Sequence, residues 1–164
     1  MNEFQADLAF SLEKNTDESI NDRYFQAFPH LAGVEVVTDI EIQKKGIDKV
    51  FHFESGNTAN VDEKKRRFDY GDILLEEYSD FDKKKIGWLG RDKYTDYIAY
   101  IIEGKKLFLF PFLILQRVWL NNYKEWIVRF GRKFADNGNY RTSNIAIPTN
   151  ILMDELQEAY QLSL

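Results

Sequence analysis

Short apolar runs separated by glycine-containing turns fill residues 34–78, and this pattern limits the folds open to the chain. Runs of this length, rich in β-branched and aromatic residues, are typical of strands that pair through tight turns. The pattern predicts four strands, at Val34–Ile42, Ile47–Phe53, Ala59–Arg66 and Ile73–Tyr78. We therefore expect an antiparallel meander in this part of the chain.

A helical pattern precedes these strands. Apolar residues recur at helical spacing between Ile20 and Phe28, and Pro29 should end that helix because a residue before proline disfavours the helical conformation. Phe4 and Leu8 predict a further helical turn near the N-terminus. The chain is thus expected to enter its first strand from a helix.

Strands and helices also alternate in the second half of the chain. A strand pair is predicted at Tyr97–Ile102 and Lys106–Phe110, around a Glu-Gly turn. A long helix should follow, with Pro111 in its first turn and apolar positions as far as Phe134. A short strand at Asn144–Ile147 and a closing amphipathic helix complete the pattern.

This order of elements predicts a mixed α/β (α+β) fold, a central mixed sheet with an antiparallel meander flanked by helices. A length of 164 residues favours a single domain over residues 1–164. The chain has no cysteine, which excludes disulfides, thiolate metal sites and cysteine nucleophiles and fits a cytoplasmic location. No apolar run approaches the roughly 20 residues of a membrane helix, so no membrane partner is expected.

Charge is unevenly distributed along the chain. The net charge is −5, yet residues 41–135 carry 19 basic and 15 acidic side chains, whereas residues 1–40 carry two basic and eight acidic ones. A positive centre between acidic ends leaves a polyanionic partner open. A solvated surface of mixed charge explains the same numbers equally well.

Two acidic residues and a lysine form the pattern that points to chemistry. Asp48 begins the predicted second strand, and Asp62 and Lys64 lie on the third. Side chains two residues apart on a strand point to the same face, so Asp62 and Lys64 share a face while Val61 points to the core. A hairpin can bring Asp48 beside Asp62, where two carboxylates would repel each other unless a hard cation lay between them.

A second register of the same motif is open. Glu63 and Lys65 have the same spacing as Asp62 and Lys64. Because side chains alternate along a strand, Glu63 and Lys65 would lie on the face of Val61, and that face should belong to the core. We therefore prefer Asp62 and Lys64 as the pair that belongs to the site.

Asp48, Asp62 and Lys64 resemble the signature of the PD-(D/E)XK phosphodiesterase superfamily, the fold of type II restriction enzymes and of many other nucleases. In that family an acid on one strand is followed, after a variable gap, by Asp or Glu, any residue and Lys on the next. The family's order is helix, three antiparallel strands, helix, strand. The chain departs from the pattern because Ile47 precedes Asp48 instead of proline, Glu63 stands where an apolar residue is commoner, and residues 82–106 resemble an insertion.

The resemblance implies a restriction-endonuclease-like fold and a metal-dependent endonuclease that hydrolyses phosphodiester bonds in DNA. It implies Mg²⁺, which Mn²⁺ can replace, held by Asp48 and Asp62, with Lys64 positioning the attacking water. We expect Glu76, on the next predicted strand, as an additional metal ligand. The residues expected to contact nucleic acid are Gln43, Lys65, Arg66, Arg67 and Lys84.

Relatives of this class often work as dimers, which makes a homodimer an expectation from the resemblance, and a compact chain of this kind fits a phage or mobile-element source. The alternative interpretation is a non-catalytic module on the same fold that binds nucleic acid or protein. Its distinguishing feature would be a failure of Asp48 and Asp62 to converge. A structural domain without a nucleic-acid partner is a third interpretation, favoured if the basic residues are scattered over several faces.

Overall fold

The computed structural model describes residues 18–161, and these form four α-helices and nine strands. The helices are α1 (Glu18–Ala27), α2 (Ile40–Gln43), α3 (Phe112–Phe130) and α4 (Thr149–Ala159). The strands are β1 (Leu31–Val36), β2 (Lys49–Phe53), β3 (Thr58–Arg66), β4 (Asp72–Asp80), β5 (Lys85–Ile86), β6 (Tyr97–Ile102), β7 (Lys106–Pro111), β8 (Lys133–Asp136) and β9 (Arg141–Pro148). Within residues 18–161 no helix combines the length and the apolarity needed to cross a membrane.

The chain divides into two compact units. The first comprises the described residues 18–68 together with Lys93–Phe112, and it contains a five-stranded mixed sheet in the order β1-β2-β3-β6-β7. Neighbouring strands are antiparallel except β3 and β6, which are parallel. Parallel neighbours need a long crossover, and residues 67–96 provide it.

The core of the first unit lies between α1 and its sheet. Tyr24 of α1 is fully buried, and its ring centroid lies 4.8 Å from that of Phe51 on β2. Phe28 also contacts Phe51, with centroids 5.7 Å apart. Ala59 and Val61 of β3 belong to the same buried cluster, so one face of β3 is fixed against the core.

The second unit comprises Asp69–Asp92 and the chain from Leu113 onward, and it contains an antiparallel sheet in the order β5-β4-β9-β8. In this sheet β4 and β9 are antiparallel neighbours, and Ile73 pairs with Ile147 and Leu75 with Ile145. All four side chains are fully buried. Alternation along both strands therefore builds the apolar side of this sheet.

The structure confirms the predicted mixed α/β class and the antiparallel β1-β2-β3 meander. It adds a second sheet that was not predicted, and the predicted fourth strand, β4, belongs to that sheet. The stretch 82–106, which resembles an insertion, contributes β6, an interior strand of the first sheet. A single domain over residues 1–164 stays a prediction, and the helical turn predicted around Phe4 lies outside the described residues.

Two predicted boundaries are wrong for local reasons. The first predicted strand ends at Val36, because the Asp39 carboxylate caps a new helix by accepting hydrogen bonds from the main-chain N–H groups of Glu41 and Ile42. The long helix ends at Phe130 instead of reaching Phe134. Gly131 follows with φ +72° and returns its N–H to a helix carbonyl, the usual glycine termination of a helix.

We expect Phe51→Ala to lower the free energy of unfolding by about 3–5 kcal/mol, because it leaves a cavity where two aromatic rings meet. Denaturant titration measures the change. His52→Ala, on the same strand but with a half-exposed side chain, is the matched control and should cost about 1 kcal/mol or less. Equal losses for the two variants would contradict this account of the core.

Candidate functional site

Asp48 lies immediately before β2 and is held by the strands on both sides. Its main-chain N–H donates to the carbonyl of Val61 on β3 over 2.8 Å, and its own carbonyl accepts from Val37 over 2.9 Å. Lys49, the first residue of β2, is opposite Val61, and the Asp48 side chain interacts with that of Asp62. The pairing of β2 with β3 therefore places the two acidic residues side by side.

Asp62 is 1% exposed, and both of its carboxylate oxygens contact ammonium groups. Lys64 Nζ lies 2.6 Å from Asp62 Oδ1, and Lys93 Nζ contacts Asp62 Oδ2. The Lys64 side chain is 31% exposed, which keeps this side of the cluster accessible to solvent. We call Asp48, Asp62, Lys64 and Lys93 the acid–lysine cluster.

The two carboxylates of the acid–lysine cluster differ in their electrostatics. Burial raises the pKa of Asp48 to about 6, and the neighbouring charge of Asp62 adds to the increase, although a hydrogen bond from the Glu63 main-chain N–H to Oδ2 opposes it. Burial works in the same direction on Asp62, but Lys64 and Lys93 outweigh it and lower the pKa of that carboxyl. Asp48 is thus the carboxylate whose negative charge is poorly compensated.

The opposite face of β3 carries a second, buried group of charges. The Glu63 side chain is 2% exposed and accepts a hydrogen bond from the Tyr24 hydroxyl over 2.6 Å. Lys49 Nζ and Lys65 Nζ lie 3.0 and 3.3 Å from its two oxygens. Burial and the Glu63 charge raise the pKa of Tyr24, and burial lowers the pKa of Lys65.

This arrangement agrees with the preferred register of the motif. Glu63 and Lys65 lie on the core face with Val61, while Asp62 and Lys64 lie together on the other face. Lys65 was expected to contact nucleic acid, but its side chain is 3% exposed and pairs with Glu63. The alternation of β3 thus turns Lys65 inward, and its contact with nucleic acid stays a prediction.

Three other residues expected to contact nucleic acid lie in the first unit. Gln43 donates from its side-chain amide to the carbonyl of Val37 over 2.7 Å, a bond that closes the turn after β1. Arg66 ends β3 with a partly exposed side chain. Arg67 is exposed, and its guanidinium lies 5.4 Å from the ring centroid of Phe68.

Glu76 and Lys84 belong to the second unit. Glu76, expected as an additional metal ligand, lies on β4, and its Oε1 accepts a hydrogen bond from the main-chain N–H of Trp88 over 3.2 Å. Lys84 is exposed, with its ammonium 3.9 Å from the ring centroid of Phe81. The structure brings together Asp48, Asp62 and Lys64, and it adds Lys93 to them.

Sequence reasoning missed Lys93. It follows the Arg91-Asp92 pair in a segment that resembles an insertion, 31 residues beyond Asp62. No signal in the sequence points to it, and its neighbour Gly46, which has φ +84°, is recognised only in the structure. A side chain at position 46 would overlap Lys93 Cε and lie 2.6 Å from its Nζ, so the glycine makes room for this lysine.

The donor set of the acid–lysine cluster fits a magnesium ion. Two adjacent carboxylates supply the hard oxygen ligands that Mg²⁺ binds in sites completed by water and phosphate oxygens. In the part of the chain that the structure describes, no group of three or more His, Cys, Asp and Glu side chains is arranged to hold a metal ion. A metal ion at the acid–lysine cluster would therefore have two carboxylate ligands from the protein, Asp48 and Asp62, and would need water or phosphate oxygens for its other positions.

Comparisons with known proteins returned no relatives. No family model matches the chain, and neither the curated proteins nor the solved structures contain a significant match. The case for a function therefore depends on the geometry of the acid–lysine cluster.

Asp48→Asn should stabilise the metal-free protein relative to the wild type at pH 7.5, and the difference should shrink by about 1 kcal/mol at pH 5. The folded state binds the Asp48 proton more tightly than the unfolded state does, since its pKa is about 6 instead of 3.8. The protonated Asp48 carboxyl therefore contributes to the free energy of unfolding of the wild type at low pH, and this contribution is lost as the pH rises through 6.

Urea titrations in EDTA at both pH values measure this difference. Asp92→Asn, at an exposed position, is the control and should follow the wild type at each pH. The raised pKa of Asp48 would be contradicted if the free energies of unfolding of wild type and Asp48→Asn differed by the same amount at pH 5 and at pH 7.5.

Proposed function

We propose that this protein is a metal-dependent nuclease that hydrolyses phosphodiester bonds in DNA. The observation that carries the proposal is the convergence of two carboxylates and a lysine on one face of paired strands. Asp48 and Asp62 are adjacent, and the Lys64 ammonium lies 2.6 Å from Asp62 with part of its side chain exposed. Metal-assisted hydrolysis of a phosphodiester can use this combination, in which oxygen ligands hold the metal and a cationic donor stabilises developing charge.

Each residue has a separate part in this proposal. Asp48 and Asp62 hold the cation, and the raised pKa of Asp48 reflects negative charge that a divalent ion would compensate. A bound Mg²⁺ supplies Lewis-acid stabilisation of the phosphate charge and an activated water. Lys64 directs its N–H donors to the attacking water and to the phosphate oxygens, where charge develops.

The connectivity of the first unit supports the resemblance to the PD-(D/E)XK superfamily. Helix α1 leads into the antiparallel strands β1, β2 and β3, and β6 later joins β3 in the same sheet. This is the family's order except for the crossover, where residues 67–96 contain β4, β5 and one turn of 3₁₀ helix at Trp88–Gly90 in place of an α-helix.

A non-catalytic nucleic-acid-binding module is the second candidate. Both oxygens of Asp62 already contact lysine ammonium groups, so the acid–lysine cluster is also a self-neutralised ion network. Such a network could support a binding surface without any hydrolysis. A homodimer, from the resemblance, and a cytoplasmic location, from the absence of cysteine, remain part of the proposal.

We expect Asp48→Asn and Lys64→Met each to reduce Mg²⁺-dependent DNA cleavage by about 10²–10³-fold, because each removes one group that acts on the reacting phosphate. Plasmid, single-stranded DNA and RNA of matched length are incubated with the purified protein and Mg²⁺, Mn²⁺ or EDTA. Cleavage is followed on gels, and circular dichroism verifies that each variant is folded.

Asp92→Asn and Lys44→Met are the matched controls, since both lie at exposed positions outside the acid–lysine cluster and should cut like the wild type. Cleavage of RNA but not of DNA would mean that the protein is a nuclease with a different substrate, and it would overturn the assignment to DNA. Metal-dependent binding of DNA without cleavage would favour the second candidate. Equal cleavage by wild type and Asp48→Asn would remove the case for this site.

A further inference from the structure

Lys93 occupies one side of the acidic pair. Its ammonium contacts Asp62 Oδ2, and its side chain is only 9% exposed. Lys64 contacts the other oxygen, Asp62 Oδ1. A lysine loses considerable side-chain entropy when it is confined in this way, so the contact with Asp62 has to offset that cost.

The segment that carries Lys93 is fastened to β3 close to Asp62. The Asn60 main-chain N–H donates to Asp96 Oδ2 over 2.7 Å, and the Asn60 carbonyl accepts from the main-chain N–H of Asp96 over 2.8 Å. The Asn60 side-chain amide donates to the carbonyl of Tyr94 over 2.8 Å. Asn60 is two residues from Asp62 on β3. These bonds therefore keep Tyr94 and Asp96, which follow Lys93 in the chain, close to Asp62.

The turn before Asp48 also fits Lys93. Gly46 is buried and adopts φ +84°, and a Cβ atom there would overlap Lys93 Cε and lie 3.3 Å from Asp62 Oδ2. A larger residue at position 46 would displace the end of the Lys93 side chain. The turn, the Asn60 contacts of β3 and the Asp62 carboxylate thus all adjoin the position of its ammonium group.

We propose that Lys93 is a built-in counter-cation of Asp62 that a divalent cation has to displace, so that Lys93 sets the cation affinity of the acid–lysine cluster. The inference rests on the proposed function, because it assumes that Asp48 and Asp62 hold a metal ion. An ammonium group and a divalent ion at the same carboxylate oxygen repel each other strongly where water is largely excluded. Lys93 therefore leaves Asp62 when the cation arrives.

The test measures binding of Mn²⁺ to the DNA-free protein by isothermal titration calorimetry and by electron paramagnetic resonance of free Mn²⁺. Lys93→Met retains most of the side-chain volume and removes the charge, and it should bind Mn²⁺ more tightly than the wild type, on the order of tenfold. Lys93→Arg keeps the charge and should stay near the wild type. Lys105→Met removes an exposed lysine of the same unit and should leave the affinity unchanged.

The outcomes separate this inference from the proposed function. Tighter binding by Lys93→Met alone, with a lower Mg²⁺ concentration for half-maximal cleavage, supports it. Equal or weaker binding by Lys93→Met, with Mn²⁺ still bound by the wild type, overturns the role of Lys93 and leaves the metal site intact. Absence of Mn²⁺ binding in every variant, with or without DNA, overturns both proposals.

Discussion

Two carboxylates lie side by side in this protein because β2 and β3 pair in one particular register. Lys49 is opposite Val61, the Asp48 N–H donates to the Val61 carbonyl, and the Asp48 side chain interacts with that of Asp62. A shift of one residue would turn every side chain of β3 to the other face and bury Asp62 against α1. Burial of Ala59 and Val61 in the core excludes that shift, so the hydrophobic core sets the geometry of the acid–lysine cluster.

Strand β3 separates two groups of charges that would otherwise interfere with each other. Glu63 is neutralised on the core side by Lys49 and Lys65, while Asp62 is neutralised on the other side by two further lysines. Buried charges need such partners, because an unpaired one costs several kcal/mol. The main-chain N–H of Glu63 connects the two groups, since it donates to Asp48 across the strand pair. The site is therefore supported by the buried charges beneath it.

Most of the elements predicted for the first unit were predicted from local sequence patterns. The period of α1, the turn signals around β2 and β3 and the alternation of Asp62 with Val61 are all local properties, and they were enough to place three residues of the cluster. The position of β4 in a separate sheet is not local, because an apolar strand pattern does not specify its partner. Ile40 and Ile42 looked like strand residues, but the cap at Asp39 outweighed their β propensity.

Lys93 could not be found from spacing, since a parallel neighbour arrives through a long crossover whose length carries no information on contacts. Its presence changes the electrostatic reasoning about the site. Two carboxylates and two ammonium groups are formally neutral, and a neutral cluster attracts a divalent cation weakly. Under the proposed function, a bound divalent cation would leave an excess of two positive charges. The departure of Lys93 would remove one of them, and a polyanion could offset the other. Under the proposed function, the affinities for cation and anionic substrate would be coupled, and by thermodynamic linkage each would strengthen the other by the same factor.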